Sequence, residues 1–114
     1  MMLFYDDGVI QLDSAALTLR RYHFPSGTAK VIPLSQIRGY QAESLGLFTA
    51  RFNIWGSPDL RRWLPLDAYR PLKSTLITLD VPGTWPRPAC TPARPADFTA
   101  LLDELLGKRT IRRT

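Results

Sequence analysis

One cysteine, Cys90, and one histidine, His23, stand among 114 residues. A single cysteine excludes an intrachain disulfide, and such a chain suits a reducing, cytoplasmic compartment. One His and one Cys do not make a zinc site of the usual type. Asp6 and Asp7 are adjacent, so in a strand they point to opposite faces and serve poorly as paired ligands. Gly39, Gly46 and Gly56 are isolated, which leaves no glycine-rich phosphate loop. His23 lies between Tyr22 and Phe24 beside a hairpin and reads as a surface or packing residue. Cys90 lies between Pro88 and Pro92 with no base nearby in sequence, so a nucleophile–base pair is not expected. No apolar run approaches the roughly 18 residues that span a bilayer. The N-terminus carries Asp6 and Asp7 where a signal peptide is basic and then apolar. The expectation is a protein with no catalytic residue, no metal and no cofactor.

Leu, Ile, Val and Phe supply 31 of the residues, above the level at which chains stay disordered. The length suits one domain, because halves of it are too small to bury a core. Ten prolines and seven glycines, scattered through short apolar runs, favour short strands over long helices. The net charge of +5 is unevenly placed. Lys108, Arg109, Arg112 and Arg113 carry four of its positive charges, and the rest of the chain has 11 basic against 10 acidic side chains. Residues 108–114 therefore read as a frayed, solvated basic tail, with contact to anionic lipid or nucleic acid as the alternative.

Short strands account for most of the chain. Residues 9–12 form the first, followed by the turn residues Asp13 and Ser14. In residues 16–24 the phase slips: Leu17 and Leu19 share one face, Tyr22 and Phe24 the other. A β-bulge near Arg20 and Arg21 puts all four on the buried side. Pro25-Ser26-Gly27 is a tight turn, and residues 28–34 return as the partner strand with Pro33 at an edge or end. Residues 37–42 are a weaker strand. Residues 50–55 alternate, with Ala50, Phe52 and Ile54 opposite Arg51, Asn53 and Trp55. Residues 63–66 and 74–81 follow, the latter with Ile77, Leu79 and Val81 on one side. Five prolines between Pro82 and Pro95 argue against helix there, although Thr84-Trp85 and Ala89-Cys90 suit a last short strand.

Pro95 opens a helix over 95–107, since a missing N–H is harmless in the first turn. Phe98, Leu101, Leu102 and Leu105 fall at i, i+3, i+4 and i+7 and make one apolar stripe. Asp97 complements the positive end of the helix dipole, Lys108 and Arg109 the negative end, and Gly107 suits the stop.

Six or seven short, mostly antiparallel strands closed by one such helix resemble the pleckstrin-homology-like (PH-like) barrel. Four stretches carry the likeness to bacterial PH-like domains. They are Leu-Thr-Leu-Arg-Arg-Tyr-His-Phe-Pro-Ser-Gly (17–27), Val-Ile-Pro-Leu-Ser-Gln-Ile (31–37), Ile-Trp-Gly-Ser (54–57) and Thr-Pro-Ala-Arg-Pro-Ala-Asp-Phe-Thr-Ala-Leu-Leu (91–102). The resemblance implies a mainly β single PH-like domain over residues 1–107. It also implies a module that binds phosphoinositides, peptides or other domains. The sequence departs from that pattern twice. Arg94 stands where an Asp or Ser commonly caps the helix, at about 1 kcal/mol of capping. Leu12-Asp13-Ser14-Ala15-Ala16 holds no Lys or Arg where lipid-binding members place a basic cluster.

Basic and aromatic residues interleave between Arg51 and Lys73. Arg51 and Trp55 share a strand face; Arg61, Arg62 and Trp63 follow a turn; Tyr69, Arg70 and Lys73 come next. Such a set offers charge-assisted hydrogen bonds and stacking to a phosphate, a nucleic-acid strand or an acidic peptide. The competing reading has the Trp rings covering the sheet and the Arg stems packed on them, with Asp59 and Asp67 as counter-charges. The function expected is a non-enzymatic binding or scaffolding module acting through a protein partner or homo-oligomerisation, because Trp and Arg dominate interface hot spots. The alternative is peripheral binding to an anionic membrane surface. Nucleic acid is the weakest partner for a body of charge +1.

Overall fold

The computed structural model describes residues 4–45, 55–57 and 61–110. Its first sheet is a four-stranded antiparallel meander of β1 (Tyr5–Asp6), β2 (Ile10–Leu12), β3 (Ala16–Leu19) and β4 (Lys30–Pro33), in that spatial order. Alternation sets its inner face: Ile10, Leu12, Leu17, Leu19 and Ile32 are buried, while Gln11, Thr18 and Val31 between them are not. Asp13 accepts hydrogen bonds from the N–H groups of Ala15 and Ala16 at 2.8 and 3.0 Å, which closes the β2–β3 turn.

The second sheet contains β5 (Gly39–Ser44), β6 (Arg62–Trp63), β7 (Thr75–Asp80) and β8 (Arg87–Cys90), in the order β5-β7-β8-β6. Its pairs are antiparallel except β6 with β8, which run parallel. Strand β7 lies between two neighbours and is buried on both faces: Ile77 and Leu79 join the main core, and Leu76 joins Leu45, Leu64 and Ala89 in a second cluster.

Helix α1 (Pro95–Thr110) packs Phe98, Leu102, Leu105 and Leu106 into the main core shared by both sheets, with Leu101 at its margin. The Tyr5 ring meets Phe98 edge-on at 5.3 Å, and the Tyr40 hydroxyl donates to Asp103, tying β5 to the helix. The predicted stripe is therefore the buried one. The stop at Gly107 is not observed: Gly107 is absent from the left-handed glycines and the helix runs on to Thr110.

Two further expectations change. The described residues form eight strands in two sheets, with no closed barrel. Pro33 lacks a donor, and a 3-10 turn at Leu34–Gln36 carries the chain from β4, the last strand of one sheet, to β5, the first of the other. The strand expected over 16–24 ends at Leu19. Instead of a bulge, Arg21 takes a left-handed conformation (φ 51°), at a cost of about 1 kcal/mol for a residue with a Cβ. That turn returns Tyr22 to the core and leaves Phe24 outside, 65% exposed. The strand expected over 50–55 falls outside the described residues apart from Trp55, which lies in a bend.

Candidate functional site

The two indoles expected to share a surface meet at one backbone atom. Trp63 Nε1 donates to the Tyr22 carbonyl at 2.7 Å, and Trp55 Nε1 donates to the same oxygen at 3.2 Å. Gly56 allows this approach. Its φ of +102° favours glycine, while a Cβ there would make only ordinary contact with the Trp63 ring, at 3.7 Å. A two-residue bridge between Gly56 and Leu64 then aligns the segments that carry both rings.

Tyr22 is the other side of this staple. Its ring is buried, which pushes its phenol up to about 12. The ring lies 6.4 Å from Trp63, edge-on to His23 at 5.1 Å and under the Lys30 ammonium at 5.7 Å. Phe24 sits edge-on to Trp55 at 4.9 Å and faces outward. The exposed Phe24 ring thus stands against the Trp55 ring, beside the exposed His23.

The basic residues of the predicted set are dispersed. Arg70 is fully buried: its guanidinium donates to the Pro65 carbonyl at 2.8 Å and to the Thr91 hydroxyl at 3.2 Å. Burial lowers its pKa, opposed by the nearby Asp67 carboxylate. Lys73 donates to Asp67 Oδ2 at 2.8 Å and to the Thr91 carbonyl at 3.0 Å. Turned inward, these two residues supply donors to the Pro65 and Thr91 carbonyls, which would otherwise be left without partners away from water. Arg62 pairs with Glu43 at 3.1 Å. Arg61 is exposed and its carbonyl accepts from the Arg87 N–H at 2.8 Å. Tyr69 is 69% exposed at some remove from the indoles in chain order, bordering a separate cleft. Arg51 and Asp59 lie outside the described residues.

The eight expected residues therefore divide. Trp55 and Trp63 come together, Arg70 and Lys73 form a buried polar cluster with Asp67 and Thr91, and Arg62 is held by an acid. Asp67 is the counter-charge of the competing reading, bound to Lys73. Phe24 and Tyr22, the centre of the aromatic group, were missed as site residues. The signal was present in the Tyr-His-Phe run before Pro-Ser-Gly, which places alternate aromatics on a hairpin tip.

His23 is exposed on the hairpin and Cys90 is wholly buried in the core. Burial pushes the Cys90 thiol up to about 12, which keeps it protonated. Among the described residues, no three His, Cys, Asp or Glu side chains gather as a metal site, and no helix is long and apolar enough to cross a membrane. The fold and this site define a small two-sheet β protein with a C-terminal helix and an aromatic hairpin. No family model, curated protein or solved structure matches the chain.

Proposed function

We propose that this protein is a PH-like binding module that works through protein contact, with self-association the leading mode. The observation that carries this reading is the outward Phe24 ring seated on Trp55, itself hydrogen-bonded to the Tyr22 carbonyl. An exposed aromatic held in one geometry loses little entropy on binding and suits the centre of an interface. The resemblance of 17–27 and 91–102 to PH-like domains supports the same class of function, since such modules act by contact.

Light scattering after size exclusion, over a range of loading concentrations, tests the proposal. The expected result is a mass above that of the monomer, rising with concentration, and lost in Phe24→Ser with an unchanged melting temperature. A strict monomer that also captures no partner in a Phe24-dependent manner removes the proposal. The second reading, peripheral binding to anionic lipid, rests on the four basic residues within 108–114. Co-sedimentation with anionic vesicles at low salt, with and without those residues, decides it.

A further inference from the structure

A cleft of about 280 Å³ opens where the first sheet meets the segment that follows β6. Gly8 and Val9 line it on one side, and Leu66, Ala68 and Tyr69 on the other. An apolar cavity of about 150 Å³ already takes up a benzene ring, so the cleft has room for one aromatic side chain and the backbone that carries it. Phe24 does not line it, although Arg21, at the base of the same hairpin, does. The Arg21 carbonyl accepts the Leu66 N–H at 2.9 Å, which ties the hairpin base to the cleft wall. Each molecule therefore carries an outward ring on the hairpin and a ring-sized cleft beside it.

Charge separates the ways in which two copies can meet through Phe24. Residues 14–42 contain no Asp or Glu. Within them Arg20 and Arg38 pair with Asp6 and Asp80. Arg21 and Lys30, which flank the hairpin, have no ion-pair partner among the described residues. Contact between two hairpin tips sets these cations against their own copies, a like-charge juxtaposition. The cleft offers a different surface. Its lining includes the carboxylates of Asp7 and Asp67, which Arg21 and Lys73 match in formal charge, so it is neutral as a whole. A basic hairpin enters it without that repulsion.

We infer that Phe24 of one copy docks in the cleft of a second copy, and that the exchange is reciprocal, so that assembly closes as a two-fold dimer. This rests on the self-association reading and names the surface that receives the ring. One Phe buries about 150–250 Å², short of the roughly 1,000 Å² that a specific interface needs. Two exchanged rings double the contact, and the exposed Pro25-Ser26 tip and Tyr69 add to it. Because ring and cleft adjoin the same hairpin, one two-fold axis engages both contacts at once. A one-way contact instead leaves a free ring at one end and a free cleft at the other, and builds open filaments.

Isotope-filtered NOE spectra of the full chain, mixed from labelled and unlabelled copies, test the contact directly. Cross-peaks are expected between the Phe24 ring protons of one copy and the Val9 and Leu66 methyls of the other. Light scattering should find a mass that levels off at about twice that of the monomer. Ala68→Trp, at an exposed position on the cleft, should raise the dimer dissociation constant roughly tenfold or more with an unchanged melting temperature. Tyr69→Ser, which removes an exposed ring from the cleft rim, should raise it severalfold. A Phe24-dependent dimer whose cleft methyls give no intermolecular cross-peak overturns this inference and leaves the self-association reading standing. So does a dimer whose dissociation constant neither cleft variant changes. A mass that keeps growing past the dimer overturns the reciprocal closure, and a strict monomer overturns both readings.

Discussion

Asp7 collects hydrogen bonds from three parts of the chain. It takes the Tyr5 hydroxyl at 2.6 Å, the Val9 and Ile10 N–H groups at 3.0 and 2.9 Å, and the Ala93 N–H at 2.8 Å. The Tyr5 hydroxyl in turn accepts the Arg94 N–H at 3.1 Å, and the Arg94 guanidinium lies 4.8 Å from the Tyr5 ring. The start of α1 is therefore docked on β1 by side chains 86 and 89 positions away, which compensates for the missing Asp or Ser cap at Arg94. Burial raises the Asp7 pKa, but the hydrogen bonds led by Ala93 outweigh it and the net shift is downward. Asp6 is pulled down to about 2, chiefly by its hydrogen bonds from Arg20.

Both carboxylates are depressed in the fold, so their stabilisation is fully present above the ordinary Asp value of 3.8. It is lost as pH falls through the folded values, toward about 2 for Asp6. Urea midpoints measured from neutral pH downward should stay level and then drop below that point, less steeply in Asp7→Asn. Asp7→Ala strands four donors, and should lower unfolding free energy by on the order of 2–4 kcal/mol. A loss under about 0.5 kcal/mol contradicts the docking role. None of these partners was readable in sequence, where adjacent Asp6 and Asp7 showed only that they make poor paired metal ligands.

At the scale of elements, the hairpin from Leu19 to Lys30 joins the bridged pairs Trp55-Gly56 and Trp63-Leu64 through the Tyr22 carbonyl. That oxygen has two lone pairs and two indole donors. Trp63→Phe leaves the Trp55 bond in place, so its loss should be about 1 kcal/mol. Adding Trp55→Phe leaves a part-buried carbonyl with no indole, and the double variant should lose more than the sum of the singles. A double-mutant cycle by chemical denaturation reads this coupling; strict additivity rules out the shared acceptor. The hairpin turn, the outer position of Pro33 and the helical stripe were all legible, because each rests on local chemistry. The left-handed Arg21 was not, since nothing local favours it over the bulge that the same phase slip suggested.

Across the whole molecule, β7 joins the two hydrophobic clusters, sending Ile77 and Leu79 to one and Leu76 to the other. Phe98→Ala in the main core should lower stability by about 3–5 kcal/mol, and Leu64→Ala in the second by about 2–5 kcal/mol. Because one strand serves both clusters, each variant should still unfold in a single transition by circular dichroism and by tryptophan fluorescence. Separate transitions for Leu64→Ala mean that the second cluster melts alone.

The sequence by itself determined the β-rich class, the C-terminal helix and its buried face, and the turns at Asp13-Ser14 and Pro25-Ser26-Gly27. Those features follow from periodicity, proline and glycine, which act within a few residues. Only the tertiary structure decided that the strands divide into two sheets instead of one closed barrel. It alone turned Arg70 and Lys73 inward and brought Phe24, Tyr22, Trp55 and Trp63 to one place. Pairing and burial of that kind depend on which distant carbonyls and carboxylates need donors, and a buried arginine reads the same in sequence as an exposed one.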